Sequence, residues 1–330
     1  MAVAAVGTAA EAVAATVGEA YYFPAMTSDL EVRVAEPADA AELLQVIRAA
    51  FSARRPVDPP AEALTDAVAD IEHALTVGSG VVLVNEGHLV AGLLIELDGD
   101  VATLRRVSVL PAWAGKGLAR MLVQSALTLA VDLGARRVEL VARQEFPEIV
   151  QWWRDHGFEV LGGVPNGHTM GRELPVIIDV PTAEDMRSLG RRLAGLLRKG
   201  DVIVATGDLG AGKTTLTQGI GEGLGVTGPI ISPTFVISRV HPHPGEGPAL
   251  VHVDAFRLGG SAELADIDLD ASLSEAVTIV EWGSGLAEWL ADSRLEIDIE
   301  RGLNSDQRTV HLTGIGPRWA GALEPLREQL

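Results

Sequence analysis

Cysteine is absent from all 330 residues. Disulfides, thiolate nucleophiles and Cys-based zinc sites are therefore excluded outright. Lysine is nearly absent too: only Lys116, Lys199 and Lys213 occur, every other basic residue being Arg. Two of these lysines sit inside glycine-rich turns, which singles them out. Positive charge is scarce overall, with 26 Lys+Arg against 45 Asp+Glu and a net charge of −19. The deficit is shared evenly, −10 over residues 1–175 and −9 over 176–330. Such a surface argues against independent, non-specific binding of nucleic acid or anionic membrane. Any connection to RNA is expected to run through a partner. Long hydrophobic runs are missing as well. No stretch of 18 apolar residues occurs, so no membrane-spanning helix is expected. Residues 1–29 contain no Lys or Arg, which leaves a secretory signal without its positive n-region. They read as a poorly ordered tail or a loosely packed helix, and the protein is expected in the cytoplasm. The eight His residues form no H-E-x-x-H or similar cluster. His241 and His243 lie among prolines and glycines and read as solvated loop histidines.

What is present is a hydrophobic content of 47%, ample for two cores in a chain of two-domain length. Its most informative stretch is Gly207 to Thr215, G-D-L-G-A-G-K-T-T. The preceding Asp201–Thr206 is a short β-branched, apolar run that reads as a buried strand, and Leu216–Leu224 continues as helix. Strand, glycine-rich turn and helix start together identify a P-loop. Gly207, Gly210 and Gly212 let the backbone of Asp208, Leu209 and Ala211 wrap close to a phosphate. The helix start adds free N–H groups and a positive dipole end. Lys213 would reach the β- and γ-phosphates of ATP, and the Thr214 hydroxyl would hold Mg²⁺, with Thr215 beside it.

A P-loop also needs groups that complete the metal site and position water. Three later stretches offer them. Ser232-Pro233-Thr234 follows a Gly-Pro turn and precedes an expected strand, Phe235–Val240; its hydroxyls suit a switch-like loop. Leu250–Arg257 is an apolar strand that ends in Asp254, and Val277–Trp282 delivers Glu281 in the same way. Either carboxylate alone could be an ordinary cap or surface ion pair; two of them downstream of a P-loop favour metal and water roles. Together the four motifs, G-D-L-G-A-G-K-T-T, S-P-T-F, H-V-D-A-F-R and E-W, resemble the TsaE (YjeE) family, the ATPases of tRNA threonylcarbamoyladenosine biosynthesis. Phe256 stands where that family usually has Tyr, and Gly283 where Pro commonly follows E-W. The resemblance implies that Lys213 contacts phosphate, that Thr214 and Glu281 serve Mg²⁺, that Asp254 orients water and that Trp282 packs near the nucleotide. It implies hydrolysis of ATP while docked on a threonylcarbamoyltransferase complex of TsaB and TsaD type. That complex modifies adenosine 37 of ANN-decoding tRNAs, so this chain would meet tRNA only indirectly.

From Leu30 to about residue 174 a second pattern runs. A strand at Leu30–Ala35 leads to a helix carrying Leu43, Leu44, Ile47, Ala50 and Phe51 on one face. A second helical stretch carries Leu64, Val68, Ile71 and Leu75. Gly80–Asn85 and His88–Leu97 read as a hairpin, and Val101–Val109 as the next strand. After Pro111 a glycine turn, Gly115-Lys116-Gly117, opens an amphipathic helix from Leu118 and Ala119 to about Leu133. A strand at Arg137–Ala142 and a helix from Pro147 to Phe158 complete it. This order resembles the GNAT family of acetyl-CoA-dependent N-acetyltransferases. There, the resemblance implies, Val107 and Val109 lie along the pantetheine arm, and Gly115, Lys116, Gly117, Leu118 and Ala119 hold the pyrophosphate. Ala112 stands where the family usually has Gln or Arg, and Trp153 where it often has a Tyr acid. No general base stands out; Glu96, on a central strand, is one candidate.

The expectation is an α/β protein of two α/β domains: a GNAT-like mixed-sheet domain over 30–174 and a P-loop NTPase domain over 176–330, after the 1–29 segment. The competing readings are a P-loop small-molecule kinase, and a GNAT half that only docks or senses CoA.

Overall fold

The computed structural model describes residues 30–258, 263, 273–302 and 306–327; the segment expected as a tail, 1–29, lies outside them. The chain forms two units that meet in sequence between Leu174 and Pro175.

The first unit begins with β1 (Leu30–Val34), whose neighbour in the sheet is supplied only after two helices, α1 (Ala40–Ser52) and α2 (Val68–Val77). Then come β2 (Ser79–Asn85), β3 (His88–Asp98) and β4 (Val101–Val109), a meander of antiparallel pairs. Gly87 and Gly99 supply the positive φ angles that its two tight turns require. Next follow α3 (Leu118–Asp132), β5 (Arg137–Arg143), α4 (Pro147–Asp155), β6 (Glu159–Val164) and β7 (Gly167–Glu173). The sheet order is β1-β2-β3-β4-β5-β7-β6. Its one parallel pair, β4 with β5, is short: Val101, Ala102 and Thr103 face Arg137, Val138 and Glu139, and there the pairing stops.

Both faces of this sheet are covered, so β2 reads as a continuous apolar run rather than an alternation. Its side chains still alternate in destination. Val81 and Leu83 pack with Leu122, Ala126 and Leu129 of α3, while Val82 and Val84 pack with Leu43, Ile47 and Ile71 of α1 and α2. Leu64, expected on α2, instead lies in a separate 3₁₀ turn, Glu62–Leu64.

The second unit opens with β8 (Val176–Val180) and α5 (Ala183–Ala194). Thr182 caps that helix reciprocally with Asp185, each side chain bonding the other residue's N–H. The chain continues through β9 (Val202–Gly207), α6 (Lys213–Leu224), β10 (Ser238–His241), β11 (Ala249–Asp254), β12 (Ala276–Glu281), β13 (Arg294–Arg301), β14 (Arg308–Ile315) and a last turn of helix, α7 (Glu324–Arg327). The order is β10-β11-β12-β9-β13-β14-β8. Strands β11, β12, β9 and β13 run parallel, with β9 in the middle. The expected strand Phe235–Val240 is shorter than expected. Pro233 starts a turn, closed by Val236 and Ile237 donating to its carbonyl, and Ile237 takes a positive φ of 66°. Pairing begins only at Ser238.

Among the described residues, no helix is long and apolar enough to cross a membrane.

Candidate functional site

Parallel strands end at a common edge, and in the second unit that edge gathers the chemistry. Asp254 pairs with Glu281, and Glu281 with Ala205, so both carboxylates sit level with the last turn of β9 before the glycine loop. Sites at the carboxyl ends of parallel strands are the general outcome of this topology.

Gly207, Gly210 and Gly212 have φ angles of 133°, 77° and 119°, a region that side-chain-bearing residues avoid. At Gly207 the need is also steric, since a Cβ there would stand 2.5 Å from the Ile299 carbonyl oxygen. The loop ends at Lys213, the first residue of α6, whose leading N–H groups have no intrahelical acceptor. Leu209 is 81% exposed and Ala211 buried, so what these two can offer a ligand is backbone. Thr215 lies on the first turn of α6 and is half-buried.

The Lys213 side chain is buried; its Nζ donates to the carbonyls of Gly207 (2.5 Å) and Asp208 (3.0 Å). The indole of Trp282 lies 3.7 Å beneath the ammonium and packs on Phe256. Burial lowers the Lys213 pKa from its ordinary value, against the opposing charges of Glu281, Asp254, Asp208 and Asp298. Thr214 Oγ1 donates to the Glu281 carboxylate at 2.9 and 3.3 Å. Asp254 gathers three donors: Ser232 Oγ (2.9 Å) and Thr234 Oγ1 (2.5 Å) at Oδ2, and the Phe256 N–H (3.0 Å) at Oδ1. Residues 232 and 234 are thus tied to the end of β11, their hydroxyls 2.7 Å apart.

Two participants were not anticipated from sequence. His252 is wholly buried and places Nε2 2.8 Å from Glu281 Oε1, while its Nδ1 has no partner. The signal was available: two residues before Asp254 on a strand, it must share that residue's side of the sheet. Arg308, on β14, donates from Nε to the Ala211 carbonyl (3.1 Å) and braces the loop from behind. Nothing in the local sequence announces that contact.

A divalent ion fits the Thr214–Glu281 pair on chemical grounds. Mg²⁺ takes one or two protein oxygens and completes its shell with phosphate and water. The described residues contain no cluster of three His, Cys, Asp or Glu that could cage a metal unaided.

In the first unit Gly115 (φ 74°) and Gly117 (φ 83°) shape the turn before α3, and Lys116 lies over the Trp113 ring. The Leu118 side chain belongs to the core and Ala119 is half-buried, so the N–H groups of both are the available ligands. Val107 and Val109 occupy the part of β4 beyond its pairing with β5. There a bulge opposite Gly92–Leu94 puts Arg106 at a φ of 57°. One sequence candidate is displaced. Glu96 faces Thr103, four residues from Val107, or about 14 Å along the strand, and is engaged by Arg105 at 2.6 Å. It is not a base for chemistry at Val107. Trp153 is a core side chain, edge-on to Trp152 and Phe158.

Comparison with known proteins follows the same division. Residues 180–310 match the family described as threonylcarbamoyl adenosine biosynthesis protein TsaE, and residues 41–158 the acetyltransferase (GNAT) family. The chain is similar to the tRNA threonylcarbamoyladenosine biosynthesis protein TsaE of Streptomyces coelicolor, 59% identical over 141 residues, covering 42% of this chain and 95% of that protein. Among solved structures, Bacillus subtilis YdiB is 30% identical with a TM-score of 0.39, covering 47% of this chain and 95% of its own. The PaiA N-acetyltransferase of Thermoplasma acidophilum, solved in complex with coenzyme A, is 15% identical with a TM-score of 0.39, covering 45% and 99%.

Proposed function

The chain belongs to the TsaE family through its second unit and carries a GNAT-family unit ahead of it; from that premise we propose that it is an ATP hydrolase of tRNA threonylcarbamoyladenosine formation. It acts in the cytoplasm, docked on a threonylcarbamoyltransferase complex of TsaB and TsaD type, and its partners hold the tRNA. The observation that carries this reading is the hydrogen bond between Thr214 and Glu281. It joins the first hydroxyl of the P-loop helix to a carboxylate 67 residues away in sequence, the pair a Mg²⁺–nucleotide complex requires.

In this reading the loop N–H groups from Asp208 to Thr214 cradle the phosphates. Lys213 exchanges its two backbone acceptors for phosphate oxygens, and that new negative charge offsets the burial of its ammonium. Thr214 and Glu281 would hold Mg²⁺, which would supply positive charge to offset the negative charge of the phosphates. Asp254 orients the attacking water through the carboxylate that now accepts from Ser232 and Thr234. Those hydroxyls couple the 232–237 turn to the γ-phosphate position, as a switch-like loop. Trp282 flanks the nucleotide and holds Lys213 by its ring face. In the first unit, acetyl-CoA is bound by the open edge at Val107 and Val109 and by the turn Gly115, Lys116, Gly117, Leu118 and Ala119.

The test is tRNA modification with purified partner proteins, comparing wild type with Lys213→Ala and Glu281→Ala. Wild type is expected to sustain multiple turnovers and both variants to stall after at most the first. Were all three alike, the P-loop would serve another substrate, and phosphoryl transfer to a small-molecule acceptor would become the leading reading.

A further inference from the structure

Continued in register beyond Thr103 and Glu139, Val107 of β4 would face Arg143 of β5. Instead the strands part, and the segment after α1 spans the opening at this level. Arg54 donates from Nη2 to the Val107 carbonyl (3.3 Å), and Arg143 donates to the carbonyls of Pro59 (2.9 Å) and Asp58 (3.4 Å). Arg54 lies over the Phe51 ring at 4.0 Å and Arg55 over the Phe146 ring at 5.1 Å. Three guanidinium groups therefore converge on one mouth.

Their counter-charges are incomplete. Glu145 is bound by Arg143 at 2.6 Å, a contact that lowers its pKa, with Arg55 adding a weaker pull. Arg106, next to Val107, is closed off by Asp66 through two bonds of 2.6 and 3.0 Å. Arg54 and Arg55 form no salt bridge with any described carboxylate, and burial lowers the Arg54 pKa from its ordinary value. Some arginines of the chain are closed by acids: Arg33 binds Asp39, Arg105 binds Glu96, Arg191 binds Glu184 and Arg318 binds Asp201. A half-buried guanidinium with one protein acceptor keeps most of its planar donor fork for an anion, and carboxylate matches that fork bidentately.

We propose that the opening between β4 and β5 binds an acidic amine, a peptide or amino acid whose carboxylate lies near its free amino group, with Arg54 and Arg55 as its carboxylate clamp. The proposal rests on the reading of this unit as an acetyl-CoA-dependent transferase. The clamp would set the acceptor amine beside Val107, where its nitrogen bonds the acetyl carbon as the carbon–sulfur bond breaks. The proton the nitrogen loses ends on the departing thiolate, giving an acetamide and free CoA.

The experiment uses the full chain, acetyl-CoA, and two peptide amides of equal length, Glu-Asp-Ala and Gln-Asn-Ala. Calorimetry reads acetyl-CoA and peptide binding separately; acetylation is read by mass. The acidic peptide is expected to bind about tenfold or more tighter, the worth of one charge-assisted pair. The R54M/R55M double variant should abolish that preference while leaving acetyl-CoA affinity within about twofold, below a single hydrogen bond's worth. Because Arg55 is exposed, R55M alone supplies the comparison should the double variant misfold. Equal binding of the two peptides overturns the clamp, as does a loss of acetyl-CoA affinity with peptide preference intact, which would assign the arginines to a CoA phosphate. If wild type binds the acidic peptide selectively but not acetyl-CoA, the transferase reading fails and the anion site stands.

Discussion

His252 gives Glu281 a second donor besides Thr214, from inside the sheet. Since its Nδ1 is buried without a partner, an Nδ1–H would be left unsatisfied, and an N–H on Nε2 aimed at Glu281 is the arrangement the surroundings favour. That N–H meets Glu281 at Oε1, the oxygen to which Thr214 also makes its shorter bond of 2.9 Å, and leaves Oε2 the less engaged of the two. Ligand-supporting groups of this kind typically change metal affinity about 10–100-fold when removed. His252→Leu, which refills the volume, is therefore expected to weaken divalent-ion binding by about that factor. Metal-free nucleotide affinity should stay near wild type. Titration of Mn²⁺ by electron paramagnetic resonance with a non-hydrolysable ATP analogue reads the first, and calorimetry of the analogue without metal the second; unchanged metal affinity would reduce His252 to packing. Asp254→Asn separates the neighbouring carboxylate. It keeps an oxygen for the Phe256 N–H but removes the negative charge, so hydrolysis is expected to fall about 100-fold, in the range for loss of a catalytic acid–base group. ATP affinity should change far less. A proportional loss of affinity, measured by calorimetry, would mean that Asp254 shapes the site rather than serving water.

At the scale of elements, the P-loop helix is held against α5 by missing side chains. A Cβ on Gly190 would stand 2.5 Å from the Leu216 carbonyl oxygen, one on Gly223 2.5 Å from the Ala194 Cβ, and one on Gly219 would run into the Arg187 backbone. Sequence reasoning takes glycine inside a helix as a weakness, worth about 1 kcal/mol against Ala. Here the close approach of the helices reverses that sign. Gly219→Ala is expected to destabilise the second unit by about 1–3 kcal/mol, the usual cost of overpacking. A thermal or urea unfolding curve of the full chain checks it. A more stable variant would mean that the helices part without penalty. The turn at Pro233–Ile237 was misread for a related reason. Phe235 and Val236 look like strand residues by composition, yet Phe235 is 84% exposed. The tie from Ser232 and Thr234 to Asp254 holds the chain in a turn until Ser238. The order of strands and helices from β1 to α4 and around the P-loop was legible from apolar runs and turn residues, whereas β6, β7, β13 and β14 were not anticipated.

The whole molecule carries its charge deficit in both halves, and that bears on how it meets RNA. With a net charge of −19 divided between both halves, the isolated protein is expected to show no saturable tRNA binding at physiological salt. Lowering the salt should rescue little. Filter binding of labelled tRNA across a salt series tests this; tight, salt-sensitive binding by the chain alone would remove the need for partners to hold the RNA.

From the sequence alone came the two-unit α/β plan, the glycine loop with its lysine, and the carboxylates at strand ends. Those are local properties: backbone freedom at three glycines, apolar periodicity, and a charge where an apolar run stops. Only the tertiary structure decided which strands are neighbours. That brought His252 and Thr214 onto one carboxylate and Arg308 behind the loop, and it set Glu96 apart from Val107. It also left Arg54 and Arg55 at an opening with no salt bridge to a described carboxylate. Each of these depends on strand order and register, which pair residues far apart in the chain and leave no mark in any single window of it.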